Sequence, residues 1–135
     1  MKSTVCRKER FNAAHRLYNP VWSKDENDNF YGKCANEYYH GHNYELIVKV
    51  TGTIDENTGY VIDMKYLSDI IKSQIIEKFD HKNLNIQVDE FKTLIPTAEN
   101  IAVICYNLLK NTLGADYEIK IVLYETERNF IEYPV

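Results

Sequence analysis

The chain has four histidines and three cysteines, and two of the histidines fall in one tripeptide, His40-Gly41-His42. In an extended segment, residues two apart point to the same side, so both imidazoles can reach one ion, and Gly41 places no side chain between them. His15 closes an apparent strand and becomes a third candidate ligand if that strand pairs with the one carrying His40. Three neutral imidazoles match a catalytic zinc site that keeps its fourth position open. A structural zinc site normally uses four protein ligands, mostly cysteine. The plainer reading of each histidine is a partly buried side chain with a hydrogen-bond partner. Cys34 lies six residues before His40 among polar residues and glycine. Beside a cation and an imidazole, a thiol can serve as base or nucleophile; otherwise it is a fourth ligand or an ordinary loop cysteine. In Asp80-His81 a carboxylate adjoins an imidazole, a pairing that can fix the ring's tautomer and stabilise its charged form. The same dipeptide also suits a polar turn ending a helix. Glu125 continues the apolar register of Ile119, Ile121 and Leu123. A carboxylate on an inward face needs a partner, such as a ligand edge with two adjacent N–H donors, unless the strand has already reached solvent.

These groups need strands to hold them. Thr4 to Ala14 reads as a strand, and Arg16 to Tyr39 as a long loop rich in Asn and Asp. Loops of that length inside a domain are often functional. Asn43 to Ile54 alternates, with Tyr44, Leu46, Val48 and Val50 on one face. Asp63 caps a helix running to about Lys78, its stripe formed by Met64, Leu67, Ile70, Ile71 and Ile75. Thr97 caps a second helix whose apolar face is Ile101, Ile104, Cys105 and Leu108, and Gly114 stops it. Tyr117 to Glu125 and Asn129 to Tyr133 read as two closing strands. The order β-β-α-α-β-β predicts an α+β fold: a four-stranded antiparallel sheet with two helices on one face.

The totals narrow the function classes. The 135 residues fit one domain, 1–135, and 44% hydrophobic residues can furnish its core. Sixteen basic and twenty acidic residues give a net charge of −4 with no basic stripe, which argues against nucleic-acid binding. The longest apolar run, Ile101 to Tyr106, is far short of a membrane span. Residues 1–9 contain no apolar stretch of the secretory type. Three irregularly spaced cysteines fit free thiols in a reducing cytoplasm. Cys6 and Cys105 read as packed core thiols.

Taken together, Phe11-Asn12-Ala13-Ala14-His15-Arg16-Leu17, Tyr31-Gly32-Lys33-Cys34, His40-Gly41-His42-Asn43-Tyr44, Asp80-His81-Lys82-Asn83-Leu84, Pro96-Thr97-Ala98-Glu99-Asn100 and Tyr124-Glu125-Thr126 resemble the 6-pyruvoyl-tetrahydropterin synthase family. That family also contains the 6-carboxy-tetrahydropterin synthases of queuosine biosynthesis. The resemblance implies the tunnelling fold (T-fold), in which three subunits close a twelve-stranded barrel and two trimers stack as a homohexamer with active sites at subunit interfaces. It implies His15, His40 and His42 as ligands of a Zn2+ cofactor and Cys34, Asp80 and His81 as catalytic residues. Glu125 matches the carboxylate that anchors a pterin ring, and Thr97 and Glu99 match the neighbouring pocket segment. Ala98 stands where relatives often carry a second threonine.

The implied reaction converts 7,8-dihydroneopterin triphosphate to 6-pyruvoyl-tetrahydropterin with loss of triphosphate, the work of a carbon–oxygen lyase acting on phosphates. Arg16, Lys24 and Lys33 are the basic residues close enough in sequence to consider for the triphosphate. The nearest rival is the carboxy-forming enzyme, which uses the same substrate and releases acetaldehyde. The five residues between Cys34 and His40 resemble the pyruvoyl type more than the shorter spacing usual in the bacterial carboxy type. Further alternatives are a non-catalytic pterin- or zinc-binding module and a structural zinc protein using Cys34.

Overall fold

The computed structural model describes residues 1–135. Two 14-residue strands form its spine: β1 (Lys2–His15) and β2 (His40–Thr53), antiparallel along their whole length. Between them lie α1 (Lys24–Tyr31) and a 3-10 turn, Gly32–Ala35. After β2 come α2 (Met64–Ile71), a π-helical turn (Lys72–Ile76), α3 (Glu77–Phe79), β3 (Lys82–Asn83) and α4 (Leu84–Gln87). The long helix α5 (Ala98–Leu113) follows, and β4 (Glu118–Tyr124) and β5 (Phe130–Tyr133) close the chain. The sheet order is β3-β1-β2-β4-β5, antiparallel except for the β1–β3 pair. The expected α+β fold is present. The additional strand is the two-residue β3, pairing only with Ala13 and Ala14 at the edge of β1.

One face of the sheet is the core. Tyr44, Leu46, Val48 and Val50 of β2 are fully buried beside Phe11 and Ala13 of β1 and Ile119, Ile121 and Leu123 of β4. Leu67, Ile70 and Ile71 of α2 cover them together with Ile75, while Met64 of the expected stripe is exposed. Each such large apolar side chain contributes about 1.5–3 kcal/mol by leaving water. The buried stripe of α5 is Ala98, Ile101, Ala102, Cys105 and Leu109. Ile104 and Leu108, expected on that face, sit half-buried at its rim. Asp63 and Thr97 cap their helices as expected, each side-chain oxygen accepting a backbone N–H.

Two expectations are corrected. Residues 16–39 are not one loop. The Ser23 hydroxyl accepts the Glu26 N–H at 3.1 Å and starts α1. The helix anchors through a polar residue: fully buried Asn27 donates to the Asn19 and Ser23 carbonyls and accepts the Asn19 N–H. A helix without an apolar stripe leaves no periodic signal. Cys6 is not a core thiol either. It lies on the exposed face of β1, because the inward alternation there runs through Val5, Phe11 and Ala13. Cys105 is buried as expected, and burial pushes its thiol pKa well up.

Candidate active site

At the end of the β1–β2 ladder, His15 stands opposite His40, and Ala13 opposite His42. The strand alternation that buries Ala13 and Tyr44 turns all three imidazoles to the core face. One ligand nitrogen from each lies within 4.8 Å of the others. His15 is only 1% exposed. Its Nδ1 is 2.8 Å from the Pro96 carbonyl, which can only accept, so Nδ1 carries the proton and Nε2 keeps a bare lone pair. That Nε2, His40 Nδ1 and His42 Nε2 are all buried without a hydrogen-bond partner. Orphaned buried nitrogens are costly unless something else satisfies them, and a metal ion accepting lone pairs would do so. Burial lowers the His15 pKa to about 4; the Pro96 hydrogen bond opposes the shift, and the nearby His40 and His42 add to it. Burial, then His42, also lowers His40. Both rings are therefore neutral near pH 7, the state a metal requires. Beneath them lies the Tyr44 hydroxyl, 3.4 Å from His15 Nδ1, its pKa pushed well up by burial and then by the Glu125 carboxylate.

The other candidates surround this trio at different depths. Glu125 follows the last residue of β4, and its Oε1 lies 3.9 Å from His42 Nε2. A cavity of about 650 Å³ opens there, lined by His42, Tyr44, Tyr124, Glu125 and Thr126. Cys34 is half-buried in the 3-10 turn, and its carbonyl accepts the Leu17 N–H at 2.7 Å, two residues beyond His15. Thr97 accepts the Asn100 N–H, and its neighbour Pro96 holds His15. Glu99 is exposed in the first turn of α5. Asp80 and His81 sit at the outer edge of β1. Asp80 Oδ1 accepts the Asn12 N–H at 2.9 Å, His81 donates its N–H to the Asn12 carbonyl, and His81 Nδ1 is 2.9 Å from Asp80 Oδ2. The Asn12 hydrogen bond, then His81, holds the Asp80 carboxyl below the usual carboxylate range. The His81 side chain is 82% exposed. No hydrogen bond joins this pair to Cys34 or to the three imidazoles.

Residues 4–134 match the family model described as 6-pyruvoyl tetrahydropterin synthase. The chain belongs to the 6-pyruvoyl tetrahydropterin synthase family. It is 38% identical over 132 residues to the 6-pyruvoyl tetrahydrobiopterin synthase of Homo sapiens, an alignment covering 98% of this chain and 91% of the relative. The Dictyostelium discoideum protein of the same name is 39% identical, with 96% and 93% covered. The solved structure of the Caenorhabditis elegans 6-pyruvoyl tetrahydropterin synthase superposes with a TM-score of 0.92 at 36% identity, covering 98% of this chain and 95% of that one. A more distant relative, a 6-carboxy-5,6,7,8-tetrahydropterin synthase of Rickettsia felis, is 28% identical, with 93% and 96% covered.

In this member of the synthase family, the structure brings together the three histidines and Glu125, and ties the Cys34 turn to the residues just after His15. No hydrogen bond links Asp80, His81 or exposed Glu99 to the trio or to Cys34. Of the basic residues considered for the triphosphate, the Arg16 guanidinium donates to the Ala35 carbonyl and stacks over Tyr18, and Lys24 is paired with Asp28. Motif reading missed several supports: the Pro96 carbonyl, the Asn12 backbone and the Asn85 side chain. Two of them act through main-chain atoms, which side-chain identity cannot signal.

Proposed function

We propose that this protein is a zinc-dependent 6-pyruvoyl-tetrahydropterin synthase, a lyase converting 7,8-dihydroneopterin triphosphate to 6-pyruvoyl-tetrahydropterin with release of triphosphate. The observation that carries the reading is the imidazole trio, with bare buried nitrogens, in a chain matched over nearly its whole length by synthases of that name. Zn2+ fits this donor set, since three neutral imidazoles with no cysteine among them leave a coordination position open. Held by His15, His40 and His42, it would supply Lewis-acid polarisation of the substrate's side-chain hydroxyls. The chain's own groups then handle the protons. Cys34, on a turn anchored beside His15, takes a proton from the substrate side chain. Asp80 holds the Nδ1 side of His81, so Nε2 is the nitrogen that gives or receives a proton. Glu125 accepts the paired N–H groups of the pterin ring in the cavity beside His42, with Thr97 and Glu99 in the neighbouring pocket segment.

The separation of Asp80 and His81 from the trio supports a site assembled between subunits. β1 leaves residues 2–11 without a strand partner on its outer edge, and β5 forms the opposite edge. Exposed edges of that length call for a partner, and a homohexamer built as a dimer of trimers meets the need. Residues 1–135 form one domain around one continuous core. No helix is long and apolar enough to cross a membrane, and three free thiols suit a reducing cytoplasm.

Incubating pure protein with the triphosphate and identifying the product by mass tests the reading. Release of triphosphate with the pyruvoyl product is expected. Acetaldehyde with a carboxy product would assign the chain to queuosine-type chemistry, and binding without turnover would leave a pterin-binding module.

A further inference from the structure

Three consecutive residues join the metal trio to the Cys34 turn. His15 belongs to the trio. The Arg16 N–H donates to Asn85 Oδ1 at 2.9 Å, and Asn85 Nδ2 donates back to the Arg16 carbonyl at 3.0 Å. One side-chain amide thus satisfies both main-chain groups of Arg16, continuing beyond the end of β1 the pairing that β3 makes with Ala13 and Ala14. So fixed, Arg16 sends its Nη2 to the Ala35 carbonyl at 2.8 Å, with Tyr18 packed 4.1 Å from the guanidinium carbon. Leu17 donates its N–H to the Cys34 carbonyl at 2.7 Å. The turn carrying Cys34 is therefore held at two successive carbonyls by two successive residues. Asn85 is itself rigidly seated: it lies on α4, next to fully buried Leu84 and just after the Asn83 cap.

We propose that Asn85 is a positioning residue. Its amide clamps Arg16, and through Arg16 and Leu17 it sets where the Cys34 thiol stands relative to the three imidazoles. The proposal rests on the reading of Cys34 as the catalytic thiol. It also gives the segment after Asp80 and His81 a second task, since Asn85, five residues beyond Asp80, would tie down the Cys34 turn of its own subunit. Proximity effects make such control consequential: a misplacement of about 1 Å can cost about 100-fold in rate.

The test uses the zinc-loaded 135-residue chain and four variants, Asn85→Ala, Asn85→Asp, Arg16→Lys and Cys34→Ala. Asn85→Ala removes both clamp bonds. Its kcat should fall by about tenfold or more, with KM little changed and zinc retained. Alkylation of Cys34 by iodoacetamide, followed peptide by peptide, should speed up relative to exposed Cys6, because the turn is freed. Asn85→Asp keeps the acceptor for the Arg16 N–H but loses the donor to its carbonyl, so it should fall between the parent and Asn85→Ala in both readouts. If Asn85→Ala does not fold, Arg16→Lys breaks the Ala35 contact with the backbone clamp intact and should show the same pair of changes. A fall in kcat with an unchanged Cys34-to-Cys6 alkylation ratio would overturn the proposal, as would a folded Asn85→Ala with the parent's kcat. Cys34→Ala separates the two readings. If that variant stays active, Cys34 is not the base, while the alkylation ratio still reports on the clamp.

Discussion

At His15 a single hydrogen bond decides which nitrogen faces its neighbours. The Pro96 carbonyl takes the Nδ1 proton, so Nε2 turns a bare lone pair toward His40 and His42. His42→Ala removes one corner of that arrangement, and metal analysis of the purified variant should find no stoichiometric zinc; full occupancy would refute the ligand assignment. Cys34→Ala should behave differently, keeping metal and assembly while losing turnover, because Cys34 is absent from the set of mutually close ligand atoms. Loss of zinc in Cys34→Ala would instead make it a ligand. The trio also predicts a pH dependence for the metal-free protein. His15 titrates at about 4 when folded against an ordinary 6.5, so between those values the unfolded chain binds more protons than the folded one. The stability due to its neutral form is complete above about 6.5 and is lost as the pH falls toward 4. Denaturant midpoints of metal-free protein should decline across that interval. A flat profile would mean that the ring is not buried neutral.

The elements decide how closely such groups are held. Gly41, between the two histidines of β2, packs against the backbone of β1: a Cβ there would lie 3.3 Å from the Ala13 carbonyl oxygen. A branched side chain at this point must push the two strands apart where His15 faces His40. Gly41→Val should therefore weaken zinc binding by about 10–100-fold, the range seen when groups supporting metal ligands are lost, while far-UV circular dichroism stays unchanged. Unaltered affinity would show that the ladder end yields without moving the trio. Positive φ values mark Tyr39, immediately before His40, and His81, beside Asn12, as locally strained. Much of this was legible in the sequence. Alternation placed His40, His42 and Tyr44 on one face, and Asp63, Thr97 and Gly114 marked helix ends, because those signals are local. What escaped depends on tertiary contact. α1 is organised around the amide of Asn27 rather than an apolar stripe. Cys6 is exposed because inward alternation on β1 passes through its neighbour Val5, which sequence weighs no differently from Cys6. The link between Asn85 and Arg16 joins residues 69 apart in sequence.

In the whole molecule, the roles proposed for Asp80 and His81 beside Cys34 call for a second subunit. Within one subunit Asp80 and His81 project from the outer edge of β1, bonded to Asn12 and to each other, while the imidazoles of His15 on β1 and His40 and His42 on β2 face the core side of the sheet. A strand edge is where another chain can join a sheet, so a second subunit that paired with or covered this edge would receive the pair. If each site takes Cys34 from one subunit and Asp80 with His81 from another, two inactive proteins should complement each other. Cys34→Ala subunits still offer an intact Asp80–His81 pair, and Asp80→Asn subunits still offer Cys34. Mixed in equal amounts through unfolding and refolding, subunits combine at random. A competent site then needs an Asp80→Asn subunit on one side and a Cys34→Ala subunit on the other, which holds for about a quarter of interfaces in a closed symmetric ring. Recovery of about a quarter of parental activity is therefore expected, from two preparations that are each inactive alone. Sites complete within one chain would recover nothing, because every subunit in the mixture carries one of the two lesions. Size-exclusion chromatography of the mixture separates this outcome from failed reassembly: hexamers without activity would place the whole site in a single subunit, although no hydrogen bond there joins Asp80 or His81 to Cys34 or the imidazoles.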